Sequence, residues 1–277
     1  MLYSNITTNS VLAAAQAHLA DNQLTTPPGL IEAASELVEN LFAGRHPDYQ
    51  QADLSYHNFE HTLLATQCYI DLAAGRINHS AQPAFNGRQF SLGYAAIILH
   101  DCGYLKNRDD REGTGAKYTS IHVERSCAMA ARFLPEMGCS EAEIQGIQNA
   151  IRCTGITSQI ELLTFQSAEE RLTGCMVATA DYLGQMADPA YPAKLSSLFA
   201  EFEESNDFTG VPAEKRLFKS AQDLMAKTRG FWNYFALPKL EKDYEGIYRV
   251  LAQADGRNLY VEAVDANLRQ IDALQAR

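Results

Sequence analysis

The heptapeptide AAIILHD, residues 95–101, joins a run of apolar side chains directly to an imidazole and a carboxylate. The apolar run is typical of a buried helix, so His100 and Asp101 are predicted to lie at the buried end of that helix. Burying a polar group without a partner costs free energy, and this arrangement is rare unless something pairs with both side chains. A divalent metal ion is the simplest partner, and the chain offers further ligands for one.

Apolar residues recur at helical spacing along most of the chain. The clearest stripe follows residues 27–28 and contains Leu30, Ala34, Leu37, Val38, Leu41 and Phe42. Two pairs, Ser140 with Glu143 and Ser167 with Glu170, predict capping boxes at the start of two more helices. Each pair is followed by apolar residues three and four positions apart, which supports a helix at both places.

The C-terminal half continues the same pattern. One helical pattern is predicted to open at Pro212, and another runs from about residue 258 to residue 275. Alternation of apolar and polar residues, which is typical of β-strands, is nearly absent. The sequence therefore predicts an all-α fold, a bundle of about ten helices, with residues 1–27 as a loosely packed extension.

Composition and charge argue against several classes of protein. A chain of 277 residues with 46% hydrophobic and 21% charged residues is typical of a globular protein. No stretch reaches the roughly 20 apolar residues that span a bilayer, and residues 1–10 lack the basic and apolar segments of a secretory signal. Six cysteines without CxxC spacing favour free thiols and a cytoplasmic location. The net charge of −11 disfavours nucleic acid polymers and membrane surfaces as partners.

Two further segments supply candidate metal ligands. In YHNFEH, residues 56–61, His57 and His61 are four positions apart, so on a helix they would share one face. Such a pair can chelate one metal ion, or one histidine can bind the ion while the other transfers a proton. Asp181 ends the small and apolar segment MVATAD, residues 176–181, and becomes a candidate because the first three ligands need a fourth.

The order of these residues resembles the HD-domain superfamily of metal-dependent phosphohydrolases, in which a histidine precedes an HD pair and a distant aspartate follows. The segment YHNFEH is also similar to the YHNxxH signature of class I cyclic-nucleotide phosphodiesterases. The resemblance covers roughly residues 50–190, which would form the motif core. It implies a single HD-type helical domain over residues 1–277, with the C-terminal helices, residues 191–277, packed on that core.

The resemblance also implies a role for each matched residue. The ligands of the first metal ion would be His61, His100, Asp101 and Asp181. Asp101 would bridge to a second ion, and His57 would be the general acid, so that His57 and Asp101 are the expected catalytic residues. One or two ions of zinc, manganese, magnesium, iron or nickel are expected, because two imidazoles and two carboxylates suit several of them. The implied reaction is hydrolysis of a small phosphorylated substrate, a nucleotide or cyclic nucleotide first of all, by a metal-activated water.

The segment that follows His100-Asp101 contains two more candidates. Residues 103–119 hold three glycines and many charges, which is typical of a loop that covers a site or of a solvated surface loop. Lys117 in this loop is a candidate phosphate contact. His122 follows at a predicted helix start, and in the family such a histidine either binds a second metal ion or contacts phosphate; a structural role is the third alternative.

Other functions are compatible with the same residues. A mixed-valent di-iron oxygenase of the same fold would use more histidines, yet His18, His46 and His79 lie outside the motifs. A noncatalytic, metal-stabilised signalling module would keep the ligands for stability alone. The chain is also shorter than animal cyclic-nucleotide phosphodiesterases and has no evident counterpart of their base-recognising glutamine. Substrate, metal and oligomeric state are therefore open. Cys102, beside the ligands, is not expected to be one.

Overall fold

A computed structural model describes residues 6–82 and 85–276 of the chain. Residues 1–5 lie outside the described residues. They form half of residues 1–10, the segment that is predicted to lack a secretory signal. The described chain is all-α, as predicted, and contains isolated β-bridges but no strand. Its α-helices are α1 Thr8–Asp21, α2 Leu30–Phe42, α3 Phe59–Asn78, α4 Gly87–Leu99, α5 His122–Phe133, α6 Glu141–Thr154, α7 Ala168–Met186, α8 Tyr191–Phe208, α9 Ala221–Phe231, α10 Leu237–Lys242 and α11 Leu259–Gln275.

The central helices are α3, α4 and α7. Each is buried on nearly every side because its apolar residues are not confined to one stripe. α3 packs on α4 and α7, and α5 and α6 cover the other side of α7 and α4. The main hydrophobic cluster extends from Val11 in α1 to Ile271 in α11. None of the helices in the described part of the chain has both the length and the apolar character needed to cross a bilayer.

Local sequence signals explain several helix ends. Ser140 and Glu143 form the predicted reciprocal capping box at the start of α6. Ser167 caps α7 as predicted, but the Glu170 carboxylate accepts a hydrogen bond from the Gln166 N–H, so this box is only half formed. The tail forms α11 over nearly the predicted range.

Two predictions about helix positions were wrong. Pro212 precedes only a 3₁₀ turn, Ala213–Lys215, and α9 begins at Ala221 because the Ser220 side chain caps it there. The described part of the N-terminal segment, residues 6–27, is not a loose extension: α1 packs on α2 and α3 and buries Val11 and Ala15 completely. The apolar face of α1 is short, so the sequence pattern gave only a weak indication that this helix packs on the core.

One glycine sets the distance between α3 and α7. A Cβ atom on Gly184 would lie 2.7 Å from the Cα atom of Ala65, and real Cβ atoms do not come so close to a backbone atom. The two helix backbones are therefore in direct contact at this point. The contact lies one helical turn beyond His61 on α3 and Asp181 on α7, so it sets the separation of these two side chains.

We predict that Gly184→Ala destabilises the protein by about 1–3 kcal/mol, because the added methyl group must push the two helices apart. It should also weaken binding of divalent metal ions. Chemical denaturation and metal titration calorimetry measure the two effects. Gly230→Ala is the matched control, since its Cβ would meet nothing closer than the Tyr234 ring at 4.0 Å; there, alanine should be neutral or stabilising. Equal behaviour of the two variants would contradict the prediction.

Candidate metal centre

Four side chains converge where α3, α4 and α7 meet. His61 comes from the first turn of α3, His100 from the C-terminal end of α4, Asp101 from the next residue and Asp181 from α7. Nε2 of His61 lies 3.1 Å from Oδ2 of Asp101 and 3.4 Å from Oδ1 of Asp181. Nε2 of His100 lies 3.3 Å and 3.4 Å from the same two oxygens. The structure thus brings together the four predicted ligands of the first metal ion.

The polar atoms of this cluster lack ordinary partners. Nε2 of His100 and Oδ2 of Asp101 are buried and have no hydrogen-bond partner. Nδ1 of His100 donates to the Ile97 carbonyl oxygen at 2.6 Å, which fixes the tautomer and directs the Nε2 lone pair into the cluster. The ligating atoms of His61, His100 and Asp101 lie within 4.8 Å of one another. Two carboxylates carry two negative charges, and two neutral imidazoles carry none. A divalent cation would neutralise this charge, so the residues fit such an ion.

Protons and a metal ion would compete for the same atoms. Burial lowers the pKa of His61, but the close carboxylates of Asp101 and Asp181 outweigh this effect and raise that pKa to about 9. The pKa of His100 is raised for the same reason. Burial raises the pKa of Asp181, yet the two imidazoles outweigh this and lower it to about 2, and that of Asp101 is also lowered. The carboxylates are therefore ionised at neutral pH, and metal binding must displace imidazole protons.

His57 does not share a helix face with His61, contrary to one expectation from their spacing. The Asn58 side chain accepts a hydrogen bond from the His61 N–H at 3.0 Å and caps α3, which leaves His57 outside the helix. Nδ1 of His57 lies 2.6 Å from Oε2 of Glu201 on α8. The two histidines therefore have different partners, as expected if one binds the ion and the other transfers a proton.

Glu201 is the main site residue that the sequence did not reveal. Its side chain is buried, and its Oε1 atom accepts a hydrogen bond from the Tyr56 N–H at 2.7 Å. Glu201 stands in an acidic segment with Glu203 and Glu204, which is typical of a solvated helix face. One sequence signal could have indicated that Glu201 is buried: it lies one turn after Leu198, on the apolar face of α8.

A second side chain supports the cluster from outside. Nε2 of Gln185 donates to Oδ1 of Asp181 at 3.2 Å, and Oε1 of Gln185 accepts from the Tyr56 hydroxyl at 2.8 Å. Tyr56 thereby connects the Glu201 and Asp181 sides of the site. Such outer contacts orient ligands and increase metal affinity. Gln185 follows Asp181 by one helical turn, which is the only sequence signal it offered.

His122 faces the other oxygen of Asp101. Nδ1 of His122 donates to the Thr119 carbonyl oxygen at 2.7 Å, and its Nε2 atom lies 3.8 Å from Oδ1 of Asp101. Its ring stacks on Tyr104 with centroids 4.3 Å apart. Burial lowers the pKa of His122, so the imidazole is neutral at pH 7 and its Nε2 lone pair is free to bind a metal ion. This position suits a second ion or a phosphate contact.

The turn after Asp101 is pinned to α5 at Gly103. A Cβ atom there would lie 1.9 Å from the His122 carbonyl oxygen, so only glycine fits. The Gly103 N–H donates to Oγ of Ser126 at 2.8 Å, and that hydroxyl donates to the His100 carbonyl oxygen at 2.5 Å. These contacts bring His122 beside the HD pair.

Lys117 does not reach the site, so its predicted phosphate contact is not supported. Its ammonium group donates to Oδ1 of Asp110 and to the Glu112 carbonyl oxygen, both at 2.6 Å. It also lies 5.5 Å from the centroid of the Phe208 ring. The side chain is buried in these contacts and is absent from the described lining of the cavity at the site. Lys117 therefore stabilises the loop over residues 103–119.

Three of the four candidate ligands, His61, Asp101 and Asp181, line a cavity of about 910 Å³. Its polar end includes His57, His61, Asp101, Asp181 and His122. The other four histidines are absent from its described lining; they are His18, His46, His79 and the buried candidate ligand His100. All six cysteines are free, and the buried Cys102 is not in the His/Asp group.

The chain belongs to the Npun_R2479-like family, whose sequence profile matches residues 45–259. Comparison with curated proteins found no match. The matched range contains every residue of the candidate metal centre as well as His57, His122 and Glu201. The family description states no activity, so a functional conclusion must come from the chemistry of the site.

We predict that Asp181→Asn lowers the affinity for Mn²⁺ or Zn²⁺ by at least about 100-fold, because losing a ligand should cost more than losing an outer contact. Titration calorimetry and metal analysis of the purified protein measure this. Asp71→Asn is the control: Asp71 is a largely buried carboxylate on α3 whose oxygens accept from Gln67 and Tyr260 outside the cluster. Unchanged metal content in Asp181→Asn would rule out Asp181 as a ligand.

Proposed function

We propose that the protein is a metal-dependent hydrolase of phosphoesters of the HD-domain type. One observation carries the proposal: a buried cluster with the right ligands for a divalent ion shares its cavity with a histidine held by a buried carboxylate. A metal site that served stability alone would need no such histidine beside it. A hydrolase needs both parts, since one activates water and the other protonates the departing oxygen.

The candidate ligands would hold the ion at the buried end of the cavity: His61, His100, Asp101 and Asp181. When bound, a divalent ion supplies a water that ionises near neutral pH and offsets the negative charge of a phosphoryl group. The protein contributes rigidity to this site. The Ile97 carbonyl orients His100, Gln185 orients Asp181, and the Asn58 cap sets the position of His61.

His57 is the proposed general acid. Glu201 accepts the Nδ1 proton of His57, so the proton that reaches the substrate is carried on Nε2. The ring centroids of His57 and His61 are 5.6 Å apart, and both side chains line the same cavity. His57 also stacks on Tyr104 at 4.6 Å, and this contact restricts rotation of its ring. In this role His57 donates its proton to the leaving oxygen as the ester bond breaks.

Oδ1 of Asp101 and Nε2 of His122 form a second position next to the first. We propose that it takes either a second metal ion, with Asp101 as the bridge, or a phosphoryl oxygen held by His122. The stoichiometry of metal binding distinguishes the two. Two ions per chain would favour the bridge, and one ion per chain would favour the phosphate contact.

The proposed function is tested with the full chain loaded separately with manganese, nickel, zinc or magnesium. Phosphomonoesters, cyclic mononucleotides and cyclic dinucleotides are screened for hydrolysis, and the metal-free chain is the blank. Turnover that requires the metal supports the proposal. Metal binding without turnover of any ester would favour the noncatalytic module, whereas two irons with oxygen uptake after anaerobic purification would favour the di-iron oxygenase.

We predict that His57→Ala lowers kcat by about 10²–10⁴ and leaves metal affinity unchanged, because the variant loses the general acid but no ligand. Steady-state kinetics on the best ester of the screen and metal titration measure the two quantities. His79→Ala, which removes an exposed histidine outside the cavity, is the control and should behave as the unchanged protein. Loss of metal together with activity in His57→Ala would make His57 a ligand instead.

We predict that Glu201→Gln lowers kcat by about 10–100-fold with little change in KM or metal content. The amide keeps the volume of the side chain but replaces the charged acceptor of the His57 Nδ1–H bond with a neutral one, so the ring should be held less firmly in the position from which it donates its proton. Glu204→Gln, which changes a carboxylate one turn further along α8 and outside the cavity, is the control. A kcat equal to that of the unchanged protein would show that Glu201 has a structural role only.

A further inference from the structure

The cavity at the candidate metal centre is much larger than a phosphoryl group requires. Beyond the polar end, its 910 Å³ are enclosed mainly by aliphatic and aromatic side chains from α8, α9 and the segment before α7. We call these residues the apolar wall: Leu163, Leu195, Leu198, Phe202, Leu224 and Phe231. Leu195 and Leu224 are buried, so part of the wall lies deep in the protein. A cavity of this type takes ligands with a large apolar group.

Exposed hydrophobic residues surround the mouth of the same cavity. Ile121, Ile156, Leu162 and Leu217 line it and are 51%, 57%, 76% and 71% exposed; we call them the apolar rim. They make up half of the large hydrophobic side chains exposed in the described part of the chain. Exposing such residues together is unfavourable for a protein surface that binds nothing. Apolar side chains therefore line the cavity from the buried Leu195 and Leu224 to the exposed apolar rim.

The cations that line the cavity already have partners. Arg152 makes two hydrogen bonds to the Glu124 carboxylate, at 2.9 Å and 3.1 Å. Nζ of Lys227 donates to Oδ2 of Asp223 at 2.8 Å and to the Leu217 carbonyl oxygen at 2.9 Å. No other lysine or arginine belongs to the described lining. The cavity thus offers little to a second or third phosphate beyond the metal centre.

Several polar side chains of the lining are also bonded within their own helices. The hydroxyls of Thr154, Thr209 and Thr228 donate to the carbonyl oxygens of Ile151, Ser205 and Leu224. These bonds satisfy the hydroxyl donors and leave methyl groups for contact with a ligand. These three threonines therefore offer no free hydroxyl donor to a nucleobase or sugar.

We propose that the substrate is a phosphate monoester of a long-chain alcohol, with the phosphate at the metal centre and the chain along the apolar wall to the apolar rim. This inference rests on the proposed hydrolase function and narrows its substrate class. In the reaction a water oxygen forms a new bond to phosphorus, and the bond between phosphorus and the alcohol oxygen breaks. His57 gives its proton to that oxygen, while the attacking water loses one proton to solvent, from which His57 is protonated again. The products are the free alcohol and inorganic phosphate.

The test compares butyl, octyl and dodecyl phosphate, each kept below its micelle concentration, with a nucleoside 5′-monophosphate and a cyclic nucleotide. The manganese-loaded full chain is used throughout. Each methylene buried in the cavity should raise kcat/KM about threefold to fourfold. Octyl phosphate should therefore exceed butyl phosphate by on the order of 10²-fold, until the chain fills the cavity. Calorimetric titration with the corresponding alkylphosphonates, which are not hydrolysed, measures binding without catalysis.

Two variants locate the chain in the cavity. Leu198→Trp fills part of the space along the apolar wall, so it should reduce activity on octyl and dodecyl phosphate more than activity on butyl phosphate. Leu217→Glu places a charge at the apolar rim, where a fold defect is not expected because the residue is 71% exposed. It should affect only the longest chain. Leu274→Glu is its matched control, since this exposed leucine on α11 is outside the cavity.

The outcomes separate the substrate class from the proposed function. Hydrolysis of esters with no dependence on chain length, or preference for the nucleotides, would overturn the long-chain substrate and leave the hydrolase standing. Binding of phosphonates that strengthens with chain length, without turnover of any ester, would overturn the hydrolase and support an apolar ligand. If Leu217→Glu and Leu274→Glu behave alike on dodecyl phosphate, the chain does not reach the apolar rim and the proposed path is wrong.

Discussion

Two carboxylates and two imidazoles meet in the buried centre of the helical bundle. The surrounding structure must compensate their charges and hold them together. Asp101 and Asp181 lie within 3.4 Å of histidine nitrogens that are as inaccessible as themselves. Uncompensated charges at such a place would be very costly, so protons or a cation must balance them. The close packing of α3 against α7 at Gly184 holds the cluster together, because it brings opposite sides of the site within reach.

Adjacent residues in the YHNFEH segment have separate tasks because a helix begins between them. Asn58 caps α3, so His61 turns inward from the helix while His57 stays in the preceding bend and meets Glu201 on α8. Glu201 also binds the Tyr56 N–H, and the Tyr56 hydroxyl contacts Gln185 next to Asp181. The proposed acid and the proposed metal ligands are therefore parts of one hydrogen-bonded framework, which favours a catalytic centre over a purely structural metal site.

The cavity joins a polar end to an apolar one, and the two ends constrain different parts of a ligand. The buried cluster with His57 and His122 suits one phosphoryl group, whereas the apolar wall and apolar rim suit hydrocarbon. Arg152 is bound to Glu124 and Lys227 to Asp223, so neither cation is free to bind a polyphosphate. The loop over residues 103–119 contributes to this arrangement from behind, since the ion pair of Lys117 with Asp110 stabilises the segment that precedes His122.

The sequence by itself determined the all-α fold and most helix positions, because helical periodicity and caps such as Ser140 are local properties of the chain. It also identified His57, His61, His100 and Asp101, since the HD pair after an apolar run and the YHNFEH segment are contiguous signals. Asp181 became a candidate only because the other three ligands need a fourth. Only the tertiary structure decided the roles of Glu201 and Lys117. Glu201 stands 144 positions from its partner His57, and nothing local separates it from the surface acids beside it. Lys117 has a charge suited to phosphate, but in the folded protein its ammonium group binds Asp110 instead. Partners that the chain brings together across such distances depend on how whole helices pack, which no short segment encodes.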